Sequence, residues 1–157
     1  GLAPEQWRQI EEILPPSAIA LYRRMPRPDQ RHGYNVMRTL RGQGYEQRAL
    51  LQAALLHDVA KHRGGVTIPH RVAAVLIKAF RPQWWRRLAS MQQPPRSRWQ
   101  YSFWAHAHHP ALGARLVAGG GCDPLAVALI ATHQDGALSG AFETSLLAAL
   151  RQADEDN

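Results

Sequence analysis

Apolar positions along this chain recur every three to four residues, in stretches separated by proline and glycine, and no run alternates with period two. That pattern predicts helices throughout and no sheet. Pro4 suits the first turn of a helix through Glu5 to Leu14. Pro15-Pro16 ends it and starts a second, Ser17 to Met25. Pro26 to Asp29 reads as a turn in which Asp29 caps a helix from Gln30 to Leu40, stopped by Gly42 and Gly44. Glu46 opens a helix to about His62, closed by Gly64-Gly65. Pro69 starts another through Val72, Val75, Leu76 and Phe80, with a short continuation from Trp84 to Met91. Pro94-Pro95 marks a loop, Trp99 to His108 reads as helix, and Pro110 restarts a helix to Ala118. After Gly119-Gly120-Gly121, Asp123-Pro124 is an N-cap followed by a first-turn proline, and Val127, Ile130 and Ala131 give that helix a core face. The last helix, about Ala141 to Ala153, presents Leu146, Leu147 and Leu150.

The chain has 157 residues, 45 % hydrophobic and 20 % charged. This fits one soluble all-α domain, a compact helical bundle over 1–157 with its core at about 27–157 and N-terminal helices in 1–26. No apolar stretch approaches the roughly 18 residues that cross a bilayer, and the first residues lack the pattern of a signal peptide. The single cysteine, Cys122, excludes an intrachain disulfide and reads as a filler of the glycine turn. A cytoplasmic location is the expectation.

Two ionisable side chains, His57 and Asp58, interrupt the apolar run Ala53-Ala54-Leu55-Leu56-His57-Asp58-Val59-Ala60-Lys61. Burying them costs several kcal/mol unless something compensates, and a divalent cation would. His32 upstream, with His109, His133 and Asp154 downstream, complete a histidine–carboxylate set for one or two ions. His32 shares a helix face with Val36 and Leu40, so it points toward the core. Imidazole and carboxylate donors suit Mn, Fe, Co, Ni or Zn, with Mg also a candidate, and the lack of a thiolate argues against a closed structural zinc site. Any of His106, His108 and His109 is a possible ligand; His109 is preferred because Pro110 follows it and Gly113 lies one turn on. Such a site lowers the pKa of bound water toward 7 and polarises a phosphoryl oxygen. Asp58, with two oxygens, is the natural ligand to share between two ions, while Lys61 and Arg31 could neutralise charge developing on a phosphate. No acidic residue follows Asp58 before Asp123, so a general base from that segment is excluded; Asp135 or the metal-bound hydroxide would serve.

These residues resemble the HD-domain superfamily of metal-dependent phosphohydrolases: His32, then His57-Asp58 within Ala-Ala-Leu-Leu-His-Asp-Val-Ala-Lys, then Asp154 within Leu-Arg-Gln-Ala-Asp. The resemblance spans about Arg31 to Asp154 and implies an all-helical bundle around a site in which His32, His57, Asp58 and Asp154 hold the first metal. His109-Pro110-Ala111-Leu112-Gly113-Ala114 is similar to the His-Pro-x-x-Gly-Ala element of branches that bind two metals, and His133 to their next histidine. Those branches include symmetrical diadenosine tetraphosphate hydrolases and cyclic-di-GMP phosphodiesterases. The Gly-Tyr-Pro signature of the latter is absent after His133, and the basic stretch from Val66 to Met91 is foreign to the former. The implied activity is hydrolysis of a nucleotide or other small phosphate ester by a metal-activated water.

Charge adds a second reading. The formal net charge is +7, and from Val59 to Cys122 ten Lys and Arg residues stand without one Asp or Glu. A surface of one sign attracts phosphorylated metabolites, nucleic acid or anionic lipid, or simply stays solvated. The run Lys78 to Arg87 interleaves arginine with Phe80, Trp84 and Trp85, a mix that suits an anionic membrane or single-stranded nucleic acid. The competing functions are therefore a binding module and an HD-fold sensor without catalysis.

Overall fold

The computed structural model describes residues 1–61, 73, 76, 77, 79–94 and 100–157, except the side chains of 88 and 89. The expected helix start at Pro69, with Val72 and Val75, lies outside the described residues, as do His62, Gly64-Gly65, His70 and Trp99. Among the described residues the secondary structure is entirely helical, as the periodicity predicts. Eight helices have both ends among the described residues: α1 Pro4–Ile13, α2 Pro16–Arg23, α3 Arg27–Gly42, α4 Arg48–Leu56, α5 Pro82–Ser90, α6 Gln100–Gly119, α7 Pro124–Thr132 and α8 Ala141–Glu155; residues 73, 76, 77, 79 and 80 are helical as well. The chain divides into two compact units, one discontinuous (1–60 and 110–157) and one formed by 61–109.

In the first unit α4 is the central element. All eight residues from Ala49 to Leu56 are buried, as expected of a helix that is apolar on every side. It packs against α1, α3, α7 and α8. α3 contributes Val36, Met37 and Leu40, all fully buried, and α8 contributes Leu146, Leu147 and Leu150. Gln52 is the polar exception on α4, and both ends of its amide are used. Its nitrogen donates to the Ile13 carbonyl at the end of α1 (3.0 Å), and its oxygen accepts from the Asp123 amide (2.9 Å). Asp123 in turn caps α7 as expected, its side chain accepting from the Leu125 amide at 2.8 Å.

Three expectations change. Asp29 is buried within the first turn of α3 rather than capping it, because the preceding proline already sets an extended N-cap at Pro26. The buried face of α7 is Ala126, Leu129 and Ile130, leaving Ala131 exposed. Helix α6 runs unbroken through Pro110. Proline removes the N–H that would bond the His106 carbonyl; the imidazole of His109 bonds that carbonyl instead, at 2.7 Å.

The second unit has a small core of its own, in which Phe103 packs with Ala73, Ile77, Trp85 and Met91. The Trp104 indole donates to the Met91 carbonyl (3.2 Å), fixing α6 against the end of α5.

Helices α3 and α4 meet at Gly33, where a Cβ would stand 2.7 Å from the Leu55 carbonyl oxygen and 3.3 Å from that of Ala54. Backbone cannot yield as a side chain tip can, so glycine sets how closely His32 approaches the end of α4. Gly33→Ala should cost about 1–3 kcal/mol through overpacking. Thermal denaturation would show this as a lowered midpoint; an unchanged midpoint would mean the helices separate freely.

Candidate metal centre

Helix α4 ends at Leu56 instead of running on to His62, and residues 57–61 form turns. The histidine itself explains the ending. In a continued helix the Ala54 carbonyl would accept the Asp58 amide; here it is bonded by Nδ1 of His57, at 2.9 Å. The Val59 amide tightens onto the Leu56 carbonyl (3.0 Å), an i to i−3 bond that closes the last turn. α7 ends the same way: His133 follows its last residue, and His133 Nδ1 bonds the Ile130 carbonyl at 2.8 Å. A carbonyl can only accept, so in both residues Nδ1 carries the proton and Nε2 is left as the potential ligand. Metal-binding histidines are oriented by such a bond from their other nitrogen.

Helices α3, α4, α7 and α8 bring five sequence-predicted residues together within the first unit. His32 Nε2 lies 2.8 Å from Oδ1 of Asp154. His57 Nε2 lies 3.2 Å from that same oxygen and 3.7 Å from Oδ2 of Asp58. The imidazoles of His32 and His57 stand edge to face, centroids 5.2 Å apart, and those of His57 and His133 likewise at 5.4 Å. Ligand atoms of His32, His57 and Asp58 lie within 4.8 Å of one another, and those of Asp58 and His133 do too. Two donors about 2.0–2.2 Å from one ion are at most about 4.4 Å apart, so a few tenths of an ångström of closure would bring the set to bonding distance.

The donor chemistry fits a cation. His57 Nε2 is buried and, despite its two carboxylate neighbours, aligned with neither for a hydrogen bond. Exposure is graded: the side chains of His57 and Asp58 are 1 % and 5 % exposed, those of His32 and Asp154 26 % and 36 %. The site therefore has a closed floor and an open side. Buried His57, Asp58, His109 and His133 all carry the imidazole or carboxylate donors that hold a divalent metal. Cys122 takes no such role: it is buried, and burial pushes its thiol up to about 11, far from a thiolate.

His109, the last residue of the second unit, is fully buried, with Nδ1 on the His106 carbonyl as described. The two neighbouring histidines are engaged otherwise. His108 stacks on Trp104 with centroids 4.5 Å apart, and His106 meets the edge of Trp85 at 5.9 Å. Lys61 opens the second unit and is half-buried. Arg31 is occupied at the start of α1, donating to Gln6 Oε1 at 3.0 Å and to the Gly1 carbonyl. Asp135 is exposed.

Arg151 escaped the sequence reading. One turn before Asp154 on α8, its Nε donates to the His133 carbonyl (2.7 Å), and its terminal nitrogen to those of Thr132 (2.7 Å) and Gly136 (2.6 Å). A guanidinium thus caps the carbonyl end of α7, where a cation is favoured, and ties His133 to the helix bearing Asp154. Gly136 permits the tight turn beneath it: a Cβ there would stand 2.6 Å from that of Thr132. Three residues' spacing from Asp154 was the available signal, but an arginine on an exposed-looking helix end has many possible partners.

The class defined so far is an all-helical protein with a buried histidine–carboxylate centre. No protein-family model matches the chain, and comparison with curated proteins and with solved structures finds no match.

The electrostatics predict how a cation enters. Burial alone would push His57 down, but the carboxylates of Asp58 and Asp154 and the Ala54 carbonyl hold it up to about 8. Burial would raise Asp154; the hydrogen bond of His32 and the nearby His57 hold it well below the usual carboxylate range instead. Without metal, charged His57 supports the fold below the ordinary histidine pKa and loses that contribution as pH rises through about 8. Asp154 contributes above the ordinary carboxylate value and loses its contribution as pH falls through its own depressed pKa. A cation on Nε2 must displace the His57 proton. Calorimetric titration with Mn²⁺ at about pH 7, in buffers of different ionisation enthalpy, should show release of about one proton per ion, fading well above pH 8. Uptake without proton release would remove His57 from the ligand set.

Proposed function

We propose that this chain is a metal-dependent phosphohydrolase of the HD type, acting on a nucleotide or other small phosphate ester. One observation carries the reading: His32, His57, Asp58, His133 and Asp154, scattered over 123 positions of sequence, converge in the first unit with their donor atoms turned inward. One carboxylate would satisfy a structural imidazole, but Nε2 of His57 faces two, Asp154 Oδ1 at 3.2 Å and Asp58 Oδ2 at 3.7 Å, a concentration of negative charge that suits a cation. A bound divalent cation supplies Lewis acidity toward a phosphoryl oxygen and a water acidified toward pKa 7.

In this reading the chain's own residues divide the work. His57 and His133 present Nε2 with their tautomers locked by Ala54 and Ile130. Asp58, at the floor, has two oxygens with which to serve two ions. His32 and Asp154 form the open side through which a phosphate enters. By the resemblance to two-metal branches of the HD superfamily, His109 would be a sixth donor and the mark of a second ion. It is buried, and its Nδ1 is fixed like those of His57 and His133. Lys61 supplies positive charge to the phosphate. Arg31 serves this role only after leaving Gln6. Mn, Fe, Co, Ni and Zn match the donors better than Mg, which prefers oxygen ligands.

The test is elemental analysis of the chain purified without chelator, joined to hydrolysis assays on dinucleoside polyphosphates and nucleoside monophosphates. Near two ions per chain is expected, with metal-dependent release of phosphate or nucleotide. Near one would return His109 to a structural role. Asp58→Asn, close in shape to the original, should lower kcat/KM by about a thousandfold or more and reduce metal content together. Full activity in that variant, or no metal uptake by the unaltered chain, would overturn the proposal.

A further inference from the structure

The second unit exposes what a soluble helical unit normally covers. Leu76 is 50 % exposed, Phe80 77 % and Trp84 49 %, three of the four exposed large hydrophobic residues among those described. The fourth, Phe142, belongs to α8 in the first unit. Leu76 and Phe80 are helical residues four apart, the spacing that puts side chains on one face. Trp84 lies beyond the break at Arg81, on the first turn of α5, and shares an open recess with Phe80. The neighbouring Trp85 turns the other way, into the core around Phe103 and against the edge of His106. The adjacent tryptophans thus have different tasks, one holding the unit together and one facing solvent.

Cations frame the same patch. Arg81, Arg86 and Arg87 are exposed, and the sequence from Val59 to Cys122 has no acidic residue to neutralise them. Arg81 is the N-cap of α5, and the first turn of that helix holds no acid. A cation at a helix N-terminus opposes the helix dipole, so helix stability does not account for Arg81. Phe80, Arg81, Pro82, Gln83, Trp84 and Arg87 enclose an open recess of about 350 Å³, with room for a phosphate-bearing headgroup between guanidinium groups and aromatic rings.

We propose that Leu76, Phe80 and Trp84, flanked by Arg81, Arg86 and Arg87, form a surface that docks on anionic lipid bilayers. Exposed Trp and Phe beside arginine suit the interfacial zone of a membrane, where rings enter the acyl boundary and guanidinium groups meet phosphate. Leu76 decides between lipid and nucleic acid. An aliphatic side chain gains by entering hydrocarbon but offers no π face on which a base can stack.

The full chain as purified would be floated with vesicles of phosphatidylcholine alone or mixed with phosphatidylserine. Binding should be at least about tenfold tighter to the mixed vesicles and weaken as salt is raised. Phe80→Ser with Trp84→Ser should abolish it, and Arg81→Gln, Arg86→Gln and Arg87→Gln together should erase the preference for phosphatidylserine, with helicity unchanged in both variants. Equal binding to both vesicle types would overturn the proposal. So would vesicle binding that survives both sets of substitutions, or binding of single-stranded oligonucleotide without binding of vesicles.

Discussion

His57 and Asp58 are almost wholly withdrawn from water, at the end of a helix, α4, that is apolar but for Arg48 and Gln52. Ionisable groups in such a place are strongly destabilising unless charge and hydrogen bonding are provided around them. The first unit is arranged to provide them. α3 brings His32, α7 ends in His133, and α8 brings Asp154, whose Oδ1 stands between the two imidazoles of His32 and His57. The close α3–α4 crossing at Gly33 and the Arg151 clamp on the end of α7 both hold this arrangement in register.

One local device recurs. His57, His109 and His133 each turn Nδ1 back onto the carbonyl three residues earlier. In two cases this replaces a helical bond and ends the helix; in the third it fills the bond that Pro110 cannot make, and the helix continues. The same short contact therefore satisfies a backbone carbonyl, sets the tautomer and aims Nε2 inward. For His57 and His133, helix ending and ligand orientation are one event, whereas His109 is aimed from within α6. The polarity of the site without metal has another cause: against the downward pull of burial, the carboxylates of Asp58 and Asp154, more than the Ala54 carbonyl, raise the pKa of His57 to about 8.

The second unit follows different rules. Among its described residues a few apolar side chains pack around Phe103, the arginines of α5 are exposed, and large apolar side chains face outward as well as inward. The catalytic proposal draws on the five donors of the first unit, with Lys61 and His109 from the second, and the membrane proposal on the second alone. Either can fail without the other, because no residue of the lipid-facing patch belongs to the donor set.

Much of the architecture was legible in the chain. Period alone gave an all-helical fold, because apolar residues at three-to-four spacing can be buried together only on a helix. Pro4 at the first turn of α1 and Asp123 with Pro124 at the start of α7 were readable because their effects are local to a few bonds. The donors were legible as residue types, since His57 and Asp58 contradict their surroundings. Other features needed the folded chain. Nothing local reveals that Ala54 would bond an imidazole and stop α4, that Pro110 would be carried within a helix, or that Trp84 and Trp85 would face opposite ways. Arg151 was invisible for the same reason, since its partners lie 15 to 19 residues away on another element. Periodicity records which faces seek burial. Which carbonyl meets which side chain depends on how helices cross, and that is set only when the cores close.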